Sequence, residues 1–194
     1  MSGWNEPFER FAALFEEAKR AIPQDPNAMQ LATVDAHGRP TIRTVLMKEF
    51  DTRGWVFFGN HSSRKGHHLD EQQVAALNFY WPALGAQVRI EGTVSSVAGA
   101  ESDAYFATRP RLSQLGAWAS LQSAPLDSRE TLEARVAEVT AKYDGAPVPR
   151  PPHWGGWRLA PDYLEFWKAH PFRLHWREIY TRAGEGWVTG MLYP

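Results

Sequence analysis

The sequence predicts a mainly β chain with a few helices, built as an antiparallel sheet or β-barrel. Three observations lead to that class. Short apolar segments separated by Gly-, Pro- and Asp-containing turns fill residues 28–97, three further strand-like segments close the chain, and helical periodicity is confined to a few stretches around them. The chain has 194 residues, within reach of one well-filled core. It shows no internal repeat, and its proline-rich stretch PVPRPPHWGG is too short to separate a pair of domains. One domain over residues 1–194 is therefore expected.

Each element has a local reason. Phe8, Phe11, Leu14, Phe15, Ala18 and Ile22 recur at helical spacing, with Pro7 suited to a first turn, so a helix is expected at about 5–22, ending before Pro23. AMQLATVD reads as a strand, AHGRP as a turn, TIRTVLMKEF as a second strand, DTRG as a turn and GWVFFGN as a third strand. SSRKGHHLDEQ has serine caps at the start of a short helix. VAALNFYW and QVRIEGTVSSV are two more strands around a break at Pro82. ESDAYFATR begins with helical character and runs into RPRLSQLGAWASLQS. From Ser128 to Tyr143, Leu132, Val136, Val139 and Tyr143 form an apolar stripe, and Glu138 and Lys142 stand at the favourable i,i+4 spacing. YLEFW, FRLHWREIY and GWVTGMLY are the three closing strands.

Composition narrows the function. Lys plus Arg is 21 against 22 for Asp plus Glu. The pI is near 6.7, so the basic excess of a nucleic-acid or anionic-membrane binder is missing. With no cysteine, disulfides, thiolate metal sites and a Cys nucleophile are all excluded. The start MSGWNEPFERF carries acids and no apolar run, unlike a signal peptide, and no stretch approaches the roughly 20 apolar residues of a membrane span. A cytoplasmic protein is expected, and the Asn60-His61-Ser62 sequon is read as chance. Locally the balance shifts. Between Arg39 and His68 six bases face two acids, a patch that suits a small anionic ligand or a solvated basic face.

Four stretches carry candidate chemistry. In FRLHWRE, strand alternation would put Arg173, His175 and Arg177 on one face, as a ligand wall or an exposed cationic face, with Leu174 and Trp176 opposite. SSRKG sets two hydroxyls and two cations at a helix start, where backbone N–H groups favour a phosphate. Arg43 and Lys48, five apart on an expected strand, would point to opposite faces unless a bulge intervenes. RPRLSQLGAWASLQS mixes donors with Leu112, Leu115 and Trp118, too apolar for a plain loop and too polar for a core helix. His67, His68 and Glu71 lack a metal-site spacing, and neither a Walker loop nor GxGxxG occurs.

Taken together, AMQLATVDAHGRPTIRTVLMK, SRKG, QVRIEG, YFATRPRLSQLGAWASLQS, HWGGWR, LEFW and FRLHWR with the terminal LYP resemble the pyridoxine (pyridoxamine) 5′-phosphate oxidase family, from about Phe8 to Pro194. The resemblance implies an antiparallel, Greek-key-like split barrel with peripheral helices, dimerising with FMN between subunits. It also implies oxidation of pyridoxamine or pyridoxine 5′-phosphate to pyridoxal 5′-phosphate, with O2 as acceptor and hydrogen peroxide as product. No metal is implied. The runner-up readings are a related split-barrel flavoenzyme acting on another substrate, such as a phenazine precursor, and a non-catalytic flavin or pyridoxal-phosphate carrier.

Position by position, Arg43, Phe58, Gly59, Arg64, Lys65, Gln87, Gln122, Ser123, Trp167 and Arg177 match the family's FMN contacts, with Arg64 and Lys65 on the phosphate side. Lys48, Tyr105, Arg109 and Ser113 match the grip on the substrate phosphate, and Arg173 and His175 match the catalytic pair beside the substrate ring. On this reading Arg43 and Lys48 serve different ligands, and Trp118 packs between the substrate and flavin ends of RPRLSQLGAWASLQS. Three departures stand out. The family's N-terminal arm is expected to be missing, Phe58-Gly59 replaces a frequent Tyr-Thr pair, and Trp176 replaces a frequent acid.

Overall fold

The structure is a computed structural model and describes residues 3–194; Met1 and Ser2, the first residues of the segment read above as no signal peptide, lie outside it. Its framework is one nine-stranded antiparallel sheet, curled into a half-barrel, with helices on the periphery. Helix α1 (Glu6–Ala21) has Glu6 and Glu9 in its first turn and Lys19 and Arg20 in its last, matching the helix dipole. Its apolar stripe lies on the sheet. The fully buried Phe11 ring meets Phe50, Trp55 and Phe79 edge-on at 4.9, 5.2 and 5.0 Å, the geometry that aromatic quadrupoles favour.

Strand β1 (Ala28–Val34) pairs with β2 (Pro40–Leu46), and β3 (Glu49–Asp51) pairs with β4 (Gly54–Asn60). The single strand expected over 41–50 is thus two. After Leu46 the chain changes neighbours: Met47 N–H donates to Asn27 O and Lys48 N–H to Val56 O, both at 2.9 Å. Strand alternation ends at that break. Helix α2 (Arg64–Gln72) follows, and β5 (Val74–Trp81) and β6 (Ala86–Ser96) pair around the expected break at Pro82.

Helices α3 (Gly99–Thr108), α4 (Arg111–Ala119) and α5 (Arg129–Lys142) form one insertion over a second core of Phe106, Leu115, Val148 and Trp154. The expected Glu138–Lys142 pair is not made. Lys142 Nζ lies instead 5.2 Å from the Trp118 ring centre, since a π face holds an ammonium as well as an exposed carboxylate does.

Strand β7 (Trp154–Lys168) is the organiser. Expected only from Tyr163, it starts nine residues earlier, so some of the proline-rich connection is strand. Its first half pairs with β4, its second half with β8 (Trp176–Ala183), and β6 runs along nearly all of it. That length splits the sheet and places β4 beside β7 rather than β5, the expected Greek-key-like crossing. A bulge at Glu91/Gly92 bends β6, and only glycine fits there, because a Cβ on Gly92 would stand 2.0 Å from Ala160 O. Strand β9 (Gly186–Met191) closes the sheet on β8. No helix among the described residues is long and apolar enough to cross a membrane.

FRLHWREIY is not one strand. Phe172 and Arg173 have left-handed φ values of 59° and 65°, which end the alternation before Trp176. Arg173, His175 and Arg177 therefore do not share a strand face.

Candidate active site

A cavity of about 710 Å³ opens between β2, β4, α2 and the α3–α4 junction. Arg43, Lys48, Lys65 and Arg109 all line it, and no Asp or Glu does. Its size is that of a site for a cofactor-sized ligand, and its charge selects an anion.

Lys65 is set by three local features. Ser63 caps α2, its Oγ accepting from Gly66 N–H at 3.4 Å, so the first turn presents Lys65 inward. Lys65 Nζ donates to Ser63 Oγ at 2.9 Å and to Gln122 Oε1 at 2.6 Å. Gly59 leaves room for this, because a Cβ there would lie 2.7 Å from Lys65 Cε. Burial, with the charge of Arg43 added, lowers the ammonium from 10.5 to about 8. Arg43 donates to Leu31 O at 2.9 Å and Thr33 Oγ1 at 2.7 Å, and also to Thr41. Burial and the neighbouring Arg64 charge push it downward too. Arg43 thus repels both Arg64 and Lys65.

Arg109 owes its position to the residue that follows it. Pro110 forces Arg109 to an extended ψ of 145°, ending α3 and turning the chain into α4. Its guanidinium carbon then lies 4.8 Å from the Trp154 ring centre, and its buried Nη1 has no hydrogen-bond partner. Phe58 stacks on Tyr105 at 4.2 Å, so the ring that replaces a hydroxylated neighbour packs against a cavity-lining phenol.

The structure brings together nine expected site residues around the cavity: Arg43, Lys48, Phe58, Gly59, Lys65, Tyr105, Arg109, Ser113 and Gln122. Arg43 and Lys48 share it, against the expectation of opposite faces, because the strand ends between them. Arg64 and Ser123 line a separate depression of about 460 Å³. Ser123 has a left-handed φ of 75°, uncommon outside glycine and frequent at functional sites.

The remaining expected residues form a second group that does not line this cavity. Gln87, Trp167 and Arg177 are direct register neighbours across β6, β7 and β8, so they share a face. His175 lies beside Trp167, ring centres 4.6 Å apart, and Arg173 is exposed in the left-handed turn. Arg177 is held by Glu165, Nε to Oε1 at 2.7 Å and Nη2 to Oε2 at 3.0 Å. Trp176, in place of an acid, is 57% exposed, and Arg177 takes its carboxylate from the neighbouring strand instead. Trp118 Nε1 donates to Pro149 O at 2.7 Å, tying its helix to the proline-rich stretch as a packing residue.

Residues 15–143 match the family described as pyridoxamine 5′-phosphate oxidase. Residues 154–194 match the pyridoxine 5′-phosphate oxidase C-terminal dimerisation region. The chain belongs to the pyridoxamine 5′-phosphate oxidase family. A family member named pyridoxine/pyridoxamine 5′-phosphate oxidase, from Myxococcus xanthus (strain DK1622), is 60% identical over 189 residues, covering 97% of this chain and 92% of the relative. A protein of the same name from Caulobacter vibrioides (strain NA1000 / CB15N) is 54% identical, covering 97% and 85%. Among solved structures, PhzG from Burkholderia lata 383 in complex with tetrahydrophenazine-1-carboxylic acid superposes with a TM-score of 0.90 at 36% identity, covering 100% of this chain and 94% of that one.

Trp154 and Glu165 were not singled out from this oxidase-family sequence. Both sat in view, in HWGGWR and LEFW, but nothing in a linear pattern says that the indole meets Arg109 or the carboxylate meets Arg177.

Proposed function

We propose that this chain is an FMN-dependent oxidase that converts pyridoxamine or pyridoxine 5′-phosphate to pyridoxal 5′-phosphate. The observation that carries the reading is the acid-free cavity lined by Lys48 and Arg109, whose buried Nη1 is unpartnered, and by Arg43 and Lys65. Two phosphate esters need two such groups, and an arginine without a carboxylate keeps its donors for a ligand.

The donor set fits both phosphates. Arg43, Arg64 and Lys65 hold the FMN phosphate, and an anion there relieves their mutual repulsion. Lys48, Tyr105, Arg109 and Ser113 hold the substrate phosphate with two cations and two hydroxyls. Phe58, Gly59, Gln122 and Ser123 border the flavin. Gln87, Trp167 and Arg177 contact it from the β6–β8 face, with Arg173 and His175 beside the substrate ring. None of these five lines the cavity of its own protomer, so a homodimer supplies them from the second copy, consistent with the match of residues 154–194 to a dimerisation region. Bound FMN supplies hydride acceptance from substrate C4′, with O2 as final acceptor and hydrogen peroxide as product. The protein's role is to fix the two rings against each other and to hold both phosphates.

The test is a visible spectrum of the FMN-loaded protein without oxygen, before and after adding pyridoxamine 5′-phosphate. Bleaching that returns with air supports the reading. A second reading, a flavoenzyme acting on a phenazine precursor, rests on the likeness to PhzG. It predicts a flavin that stays yellow with the phosphate ester and bleaches with a reduced phenazine carboxylate.

A further inference from the structure

We propose that Trp154 is a positioning residue that holds Arg109 as an uncompensated cation for the substrate phosphate; this rests on the assignment of Arg109 to that phosphate. An arginine can be oriented by a carboxylate, but a carboxylate occupies its N–H groups and competes with the incoming anion. A π face orients the guanidinium from above its plane and leaves the in-plane N–H groups free. The cavity has no Asp or Glu, and two rings flank Arg109, the Trp154 indole at 4.8 Å and, farther off, Phe106 at 5.5 Å.

The indole is itself braced. Trp154 is 6% exposed and begins β7 opposite Asn60 of β4. Its carbonyl accepts from Arg150 Nη1 at 2.6 Å, and its N–H donates to Pro151 O at 3.0 Å. Phe106 packs edge-on against it at 5.0 Å and 69°. On the cavity side Phe58 lies nearly parallel, at 5.4 Å and 9°, and Tyr105 at 6.1 Å and 13°. One ring therefore sets both the guanidinium and the phenol of the phosphate grip. Phe58 serves that stack, which gives the phenylalanine a role in place of a lost hydroxyl.

The experiment is a double-mutant cycle on the FMN-loaded protein, titrated with pyridoxal 5′-phosphate and with pyridoxal, which lacks the phosphate. Trp154→Leu is expected to weaken pyridoxal 5′-phosphate about tenfold, the range of one desolvated cation–π contact, and to leave pyridoxal unchanged. In an Arg109→Ala background the same change is expected to cost clearly less, retaining only the part that acts through Tyr105. Trp154→Phe retains a π face and is expected to recover most of the loss. It also carries the test if the leucine variant does not fold, with about a threefold weakening confined to the phosphate ester. Equal weakening with and without Arg109, or an equal loss for pyridoxal, overturns the role of Trp154 and leaves the phosphate site standing. A wild-type protein that binds both compounds equally overturns the phosphate site and this inference together.

Discussion

Glu165 on β7 and Arg177 on β8 are diagonal neighbours on one face of the sheet, joined by two hydrogen bonds of 2.7 and 3.0 Å. Glu165 is 2% exposed and also accepts from Arg89 Nη1 at 3.2 Å and Tyr163 OH at 3.3 Å. Burial pushes its carboxyl upward, but Arg177 and Arg89 outweigh burial and hold it below the usual carboxylate range.

Glu165→Gln removes the charge at constant shape, leaving Arg177 and Arg89 poorly compensated. Urea unfolding is expected to show a loss of about 2 kcal/mol at neutral pH, and a flavin titration a weaker FMN complex. The sign of the pH effect follows from the lowered carboxyl. Its contribution is present above the unfolded value of about 4.3 and lost as pH falls through the folded value. The gap between wild type and variant should begin to narrow below about pH 4.3 and close only once the folded carboxyl is protonated; a constant gap would assign the loss to packing.

Lys65, lowered to about 8 by burial and the charge of Arg43, should give FMN binding a pH dependence on the proposed assignment. A phosphate needs the ammonium, so above pH 8 binding must take up a proton and affinity should fall as much as tenfold per unit. Without ligand the unfolded chain keeps that proton up to 10.5 while the fold has released it, so stability rises between 8 and 10.5. Lys65→Arg should flatten the binding profile, because a guanidinium stays charged. Fluorescence titrations of FMN from pH 7 to 10 would decide it, and an unchanged slope in the variant would count against Lys65.

Arg173 and Lys65 should separate catalysis from cofactor retention. Arg173 sits in an exposed left-handed turn and does not line the cationic cavity, so Arg173→Ala should cut kcat/KM by about tenfold or more while purified protein keeps its FMN. Lys65→Ala should do the reverse, losing flavin on dilution. Equal flavin loss in both variants would sink the division.

Phe11→Ala should cost about 3–5 kcal/mol, because the ring is fully buried among Phe50, Trp55 and Phe79. Chemical denaturation measures it. A cost under 1 kcal/mol would mean that α1 is only loosely docked.

Much of the fold was legible because local periodicity and turn residues dictate it. The helix on Phe8 and Phe11, the strands through Val34, Asn60 and Trp81, and the Ser63 cap all depend on neighbours within a few residues. Two strand readings failed for one reason. At Met47 the apolar run continues and at Phe172-Arg173 apolar and polar residues still alternate, but the backbone leaves the strand, once to change hydrogen-bonding neighbours and once through left-handed φ values.

The sequence by itself determined the class, the family resemblance and the residue types of the site, since cations, hydroxyls and aromatics carry their chemistry wherever they stand. The tertiary structure alone decided their grouping. Lys48 joined Arg43 in one cavity because a strand ended between them, Arg109 met Trp154 because a proline turned the chain, and Glu165 met Arg177 diagonally across two paired strands. No local pattern encodes those contacts, because they are set by where strands end and by how β7 splits the sheet.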